Sequence, residues 1–349
     1  MAIPVELPSD ATAPFLPMEA KLAPELPHGP GWQFEPKWDG FRCLAVRREG
    51  RVALFAKSGK GLTRFFPEMV EALAAAGTED FILDGELVIP VGESLDFDAL
   101  QMRLHPAESR IRKLARETPA RYIVFDLLRR GDSELSEQPL SARRDALEAF
   151  VASLHASPAL RLSPFTRDRA EAQRWLGKTG AALDGVVAKR VDDRYHPGER
   201  AMIKVKPIRT ADCVVGGFRY GTGSRQVGSL LLGLYDAEGR LNHVGFTSGI
   251  AAAKRQELTQ RLESIRGGPG FTGNAPGGPS RWSTERSTEW VPLEPRLVVE
   301  VAYDQVTANR FRHGTRLVRW RPDKAPSQCT FDQLQREARP SRLIRELLA

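Results

Sequence analysis

Lys37 stands in Glu35-Pro36-Lys37-Trp38-Asp39-Gly40, just ahead of an apolar run, Phe41-Arg42-Cys43-Leu44-Ala45-Val46, that reads as a strand. A lysine between such neighbours is either part of a solvated turn or a nucleophile set to attack. Free lysine titrates near 10.4, so attack at neutral pH requires neighbouring cations or partial burial to draw the proton off. Other pairs suggest what it would attack. Asp84 and Glu86 flank Gly85, and Lys204 and Lys206 flank Val205, so each pair leaves one face of a strand. Two lysines on one face repel unless an anion lies between them, and a triphosphate is such an anion. Phe125 emerges opposite Val124 and Asp126 and is free to present its ring to one side. Asp184 and Lys189 are five residues apart and leave opposite faces of a regular strand. Both reach one site only if Asp184 sits at the strand's entry turn, beside Gly185.

The elements that must hold these residues are legible as short runs rich in Val, Ile, Leu and Phe. Strands are expected at 41–48, 51–57, 80–90, 120–130, 183–190 and 201–208. Helices separate several of them: one begins at Pro67 and stops at Gly77, one is capped by Ser141, and one opens on a capping box of Asp168 with Glu171. Residues 1–31 are proline-rich and read as an extended arm. Beyond Pro207 the pattern changes to closely spaced strands at 212–220, 228–236, 241–249 and 296–304, with a hairpin turn at Glu238-Gly239 and one helix from 251 to 268. The fold class is therefore α+β, with a small β-barrel of OB type second. Residues 267–290 form a Gly/Pro/Ser-rich connection, and Thr330 caps a closing helix.

Taken singly, each motif has a bland counterpart. Lys-x-Asp-Gly and Asp-Gly-Glu are common turns, Phe125 fits a core, and Lys204 with Lys206 fits a guarded edge strand. Arg321-Pro322-Asp323-Lys324 fits an exposed turn after the last strand. Bulk properties narrow the field. The chain has 349 residues and a formal net charge of +7, which suits a polyanionic partner such as nucleic acid. The stretch 309–324 carries six Lys or Arg against one Asp, with Phe311 and Trp320 interleaved. Three well-separated cysteines argue against a disulfide framework and against a four-cysteine zinc site. No apolar run approaches the roughly 18 residues of a membrane span, and no secretory signal is evident at the start. A cytoplasmic, nucleoid-associated monomer is expected.

The order of the motifs carries what they cannot carry singly. Lys-x-Asp-Gly, Asp-Gly-Glu, Phe-Asp, Asp-Gly-Val-Val-Ala-Lys, Lys-Val-Lys and Arg-Pro-Asp-Lys occur in that sequence along nearly the whole chain. The set resembles the covalent nucleotidyltransferases, and within them the small bacterial ATP-dependent DNA ligases of the C group. The resemblance spans residues 17–330. It implies a nucleotidyltransferase domain of antiparallel sheets and flanking helices over residues 1–207, then an OB-fold domain with a C-terminal helix over 208–349. It further implies that Lys37 takes AMP from ATP, with Asp39 in the same motif, and passes it to a nicked duplex. Glu35 would accept from the adenine amino group and Phe125 would stack on the ring. Arg42 would lie near the ribose or the nick, with Lys57 also lining the nucleotide site. Glu86 and Asp184 would hold ribose or a metal, Mg²⁺ or Mn²⁺. Lys189, Lys204 and Lys206 would bind phosphates, and Asp323 with Lys324 would orient the departing pyrophosphate. A repair polymerase or primase-like polymerase is the implied partner.

Three positions depart from the family pattern. Lys57 stands where many ligases carry arginine, Asp184 where glutamate is commoner, and Met202 where an aromatic precedes the paired lysines. A lysine offers a point charge in place of a planar fork, so the contact made there differs. Two rivals remain open. An RNA ligase or a capping guanylyltransferase shares the lysine nucleophile and separates by choice of base and acceptor. A DNA-binding protein with an inactive first domain would bind without forming an adduct.

Overall fold

A computed structural model describes residues 13–334 except 78, 93, 155–156, 179–182, 208, 278–288, 308 and 313. The chain forms two compact units that divide after Pro207. In the first unit, a four-stranded sheet runs in the order Ala20–Leu22, Met202–Val205, Leu183–Arg190, Trp32–Trp38. The main path of a second sheet runs Leu160–Leu162, Arg121–Arg130, Phe81–Val88, Phe41–Arg48, Arg51–Ala56. Most pairs are antiparallel, as expected, but two are parallel: Ala20–Leu22 with Met202–Val205, and Leu160–Leu162 with Arg121–Arg130. The helices Pro67–Ala75 and Leu140–Ser153 bury Met69, Leu73, Leu147 and Phe150 against one face of the second sheet. Arg169–Lys178 places Ala172 and Trp175 in a separate core with Phe34, Trp38 and Val186 of the first sheet.

Local details depart from the sequence reading for identifiable reasons. Lys37 is not in a turn, because Trp32–Trp38 is itself a strand. Part of the expected extended arm is the strand Ala20–Leu22, too short to leave a periodic signal. Ser141 does not cap its helix. The helix begins at Leu140, and the amides of Leu140 and Ser141 donate to the carbonyls of Asp193 and Val191, which satisfies two of the donors a cap would serve. Asp168 accepts from the Ala170 amide, but Glu171 accepts from the Thr166 hydroxyl instead of closing a box with Asp168. After Thr330 the described residues form one 3-10 turn, Phe331–Leu334, and the rest of the expected helix lies outside the described residues.

The second unit is an antiparallel sheet whose main path runs Leu241–Thr247, Val227–Tyr235, Arg209–Tyr220, Val298–Tyr303, Arg316–Trp320. Gly239, with φ of 73°, makes the expected hairpin turn possible. The helix Arg255–Glu263 buries Leu258 and Leu262 against this sheet.

Candidate active site

Alternation along Trp32–Trp38 sends Glu35 and Lys37 to one face and Phe34 and Trp38 to the other. Trp38 is buried and its indole N–H donates to the Ser163 hydroxyl at 3.0 Å, which fixes the strand end that carries Lys37. Gly40 then lets the chain turn tightly: a Cβ there would lie 2.1 Å from the Leu87 carbonyl oxygen. On the neighbouring strand, Gly185 lies opposite Lys37, Val187 opposite Glu35 and Lys189 opposite Gln33. Regular alternation would turn Asp184 away. The register shifts between Leu183 and Gly185, and Gly185 has φ of 139°, which re-aims Asp184 towards the lysines. This is the entry position that the sequence required. No side chain fits at Gly185, since a Cβ would lie 2.1 Å from the Val205 carbonyl oxygen.

Asp184 receives Lys37 Nζ at 2.5 Å on one oxygen and Lys206 Nζ at 3.0 Å on the other. Deeper in the same face, Lys189 Nζ lies 2.7 Å from Glu35, whose other oxygen accepts from the Gln33 amide at 2.8 Å. The second sheet supplies the facing wall. Its register slips between Asp84 and Gly85 opposite Asp126 and Val124, so Phe125 sits in a bulge. Arg42 and Lys189 place their charges 4.6 and 4.7 Å from the Phe125 ring centre. Asp84 and Glu86 share a face, but their fates differ. Asp84 is fully buried beneath Arg42, while Glu86 opens into the cavity.

That cavity has a volume of about 710 Å³. Its walls include Glu35, Lys37, Arg42, Lys57, Glu86, Phe125, Lys189 and Lys204. Asp184 joins them through its contact with Lys37 and Lys206 through its contact with Asp184, and Asp39 follows directly on the Lys37 strand. Such a volume accommodates a nucleotide-sized ligand. Lys57 reaches it as a point charge, paired with Glu19 at 3.0 Å. Sequence reasoning missed the stretch Leu16–Ala20 as a wall of the cavity, and missed Gln33 and Tyr195 as supports.

The cavity has an uneven charge balance. Burial pushes the Glu86 carboxyl up to about 7 despite Lys37 and Arg42, which pull it down, and Asp39 and Asp84 add to the rise. Lys204 is shifted down by burial and then by the charges of Lys37, Lys206 and Lys57. A raised carboxyl pKa means that the folded protein holds this proton more tightly than the unfolded chain. Its contribution is present at acid pH and is lost as pH rises from the ordinary carboxylate range through about 7. Glu86→Gln is therefore expected to melt a few degrees above wild type at pH 8 and within about a degree of it at pH 5, in the presence of a chelator. Parallel curves of melting temperature against pH would contradict the assignment.

Among the described residues, no group of three or more His, Cys, Asp or Glu side chains forms a metal cage. Mg²⁺ does not need one, since it is commonly held by one or two carboxylates together with substrate phosphates and water. Glu86 fits that role, opening into the cavity beside the lysines. Asp184 is occupied by two ammonium groups, so serving a metal would require it to release them.

In the second unit, Asp212 gathers the end of the last strand. Arg321 donates to both of its oxygens at 2.8 and 3.0 Å, and Lys324 Nζ lies 3.1 Å away. Asp323 accepts in turn from Arg321. The sequence singled out Asp323 and Lys324 but not Asp212, which lies more than a hundred residues earlier.

Known proteins resemble this chain over most of its length. Residues 17–206 match the family model described as ATP dependent DNA ligase domain, and residues 223–324 match ATP dependent DNA ligase C terminal region. The chain is 43% identical over 337 residues to DNA ligase C2 of Mycolicibacterium smegmatis, covering 92% of this chain and 94% of that protein. It is 42% identical over 339 residues to DNA ligase C of Mycobacterium tuberculosis, covering 93% and 94%. A solved structure from a study of Lig E DNA ligases shares the fold, with a TM-score of 0.53 at 17% identity, covering 87% of this chain and 99% of that one.

Proposed function

Since the chain belongs to the bacterial ATP-dependent DNA ligases, we propose that it seals nicks in duplex DNA through AMP carried on Lys37. The observation that carries this reading is the placement of Lys37 Nζ on a cavity of about 710 Å³, held by Asp184 at 2.5 Å and ringed by further lysines. In the first step Lys37 Nζ forms a bond to the α-phosphorus of ATP while the bond to the β-phosphate oxygen breaks and pyrophosphate leaves. Asp184 is the carboxylate within reach of the ammonium proton. Lys204 and Lys206 offset the charge that builds on the phosphates. In the second step an oxygen of the 5′-phosphate at a nick attacks the same phosphorus and frees Lys37. In the third the 3′-hydroxyl attacks the 5′-phosphate and AMP departs.

Position supports the remaining roles. Glu35, fixed by Gln33 and Lys189, accepts from the adenine amino group, and Phe125 underlies the ring. Arg42 and Lys57 flank the sugar and phosphates, and Lys189 adds positive charge at the inner end. Asp39 shapes the charge on Glu86, which holds the ribose or a divalent cation. When bound, Mg²⁺ or Mn²⁺ would neutralise phosphate charge. The second unit is read as an OB-fold; its antiparallel sheet, the packed helix Arg255–Glu263 and the basic strand Arg316–Trp320 support this. Asp323 and Lys324, anchored at the end of the second unit's strand, would orient the departing pyrophosphate. A nick bearing a 3′-hydroxyl and a 5′-phosphate is what gap filling leaves behind, which favours a repair setting at the nucleoid beside a polymerase.

The test is sealing of a nicked duplex with ATP, GTP or NAD⁺ in turn, each with Mg²⁺ or Mn²⁺. Sealing is expected with ATP alone. Sealing driven by GTP or NAD⁺, or DNA binding with no sealing under any condition, would overturn the reading.

A further inference from the structure

Tyr195 lies in the loop between the strands that carry Lys189 and Lys204, far along the chain from the motifs it touches. Its side chain is only 2% exposed. The phenol donates to Asp84 Oδ2 at 2.6 Å and accepts from the Met18 amide at 2.9 Å. Asp84 is 0% exposed and receives Arg42 in a two-pronged contact, Nε to Oδ1 and Nη2 to Oδ2, both at 2.6 Å. Arg42 also donates to the Met18 carbonyl at 3.4 Å and lies 4.6 Å from the centre of the Phe125 ring. One hydroxyl thus ties together the strand Phe81–Val88, the arginine on the cavity wall, and the Leu16–Ala20 segment that closes the cavity's side.

We propose that Tyr195 is a positioning residue that sets the guanidinium of Arg42 for the nucleotide by fixing Asp84 from behind. The two-pronged contact couples the orientation of the Asp84 carboxylate to that of the Arg42 guanidinium, so what shifts one shifts the other. The tyrosine O–H gives Oδ2 a second donor besides Arg42 and so anchors the coupled pair. Arg42 is consequently held on the cavity wall with its charge 4.6 Å from the centre of the Phe125 ring. A phenylalanine at this position would keep the ring in its core with Met18, Leu44 and Met202 while releasing Asp84, Arg42 and the Met18 amide. A purely structural tyrosine would alter stability but leave the nucleotide's half-saturating concentration alone.

The inference rests on the reading of the cavity as an ATP site, and the experiment separates the two. Single-turnover formation of the AMP adduct is measured against ATP concentration in the full chain for wild type, Tyr195→Phe, Arg42→Ala and the double variant. Absence of an adduct in wild type would overturn the ATP reading itself. With wild type active, Tyr195→Phe is expected to raise the half-saturating ATP concentration about tenfold while the rate at saturation stays within about twofold. In the Arg42→Ala background the same change is expected to add nothing, because the path through Arg42 is already gone. An unchanged half-saturating concentration, or full additivity in the double variant, would overturn the positioning role. Should Tyr195→Phe fail to fold, Arg42→Lys reads the same link from the other end, since it keeps the charge but loses the fork. It is expected to show the same rise, and wild-type ATP dependence there would overturn the inference.

Discussion

Lys37→Ala is expected to carry no AMP after incubation with ATP and a divalent cation, a loss of at least about 10,000-fold in adduct formation, because no other nucleophile replaces the missing amine. The rest of the molecule should tolerate the change. Lys37 is part exposed, and Asp184 retains Lys206 at 3.0 Å, so the buried carboxylate is not left without a cation. The melting temperature should therefore move by no more than a few degrees. The variant should still seal a nick whose 5′-phosphate already bears AMP, within about tenfold of wild type, since that step no longer uses the lysine. Labelled ATP on denaturing gels measures the first expectation and a pre-adenylated nick the second. Equal loss in both assays would mean that Lys37 acts as a general phosphate contact.

Lys324→Ala is expected to slow adduct formation about 100-fold and to leave sealing of a pre-adenylated nick within a few-fold, the usual cost of removing one charged donor from a developing anion. The argument rests on the geometry of the second unit. Lys324 is held on the sheet by Asp212, which also receives Arg321, so its amine is presented from a fixed base rather than from a loose turn. Asp212→Asn should show a weaker form of the same defect, because the amide keeps the shape of the anchor but loses its charge. Parallel kinetics of the two half-reactions check this. Equal slowing of both by Lys324→Ala would place the residue on DNA rather than on pyrophosphate.

How legible this was from the sequence depended on whether a contact is local. Asp84 with Glu86, and Lys204 with Lys206, could be placed on one face because strand periodicity is two, and spacing alone decides the face. Asp184 could be assigned to a strand entry because Gly185 follows it, although only the shifted register shows how it turns inward. Phe125 was read correctly as presenting its ring to one side, but the bulge that aims it depends on pairing with Asp84 and Gly85, forty residues earlier. The turn alternative stayed open for Lys37, and the strand Trp32–Trp38 stayed illegible, because Pro36 and Gly40 resemble turn chemistry. Sheet pairing with Leu183–Arg190 overrides that local preference. Tyr195 and Asp212 carried no local signal at all. One is a single tyrosine in a polar loop and the other a lone aspartate at the head of a strand, and each acquires meaning only from a partner about a hundred residues away.

The central claim is that Lys37 carries AMP from ATP to DNA, and a pulse and chase on the intact chain tests it most directly. The protein is first stripped of bound nucleotide with pyrophosphate, then charged with ATP labelled at the α-phosphate, digested and mapped, with a second portion chased by unlabelled nicked duplex. The account predicts label on the peptide containing Lys37 alone, and its transfer to the 5′-phosphate of the nick during the chase. Label on another residue, or label on Lys37 that nicked DNA does not discharge, would contradict it.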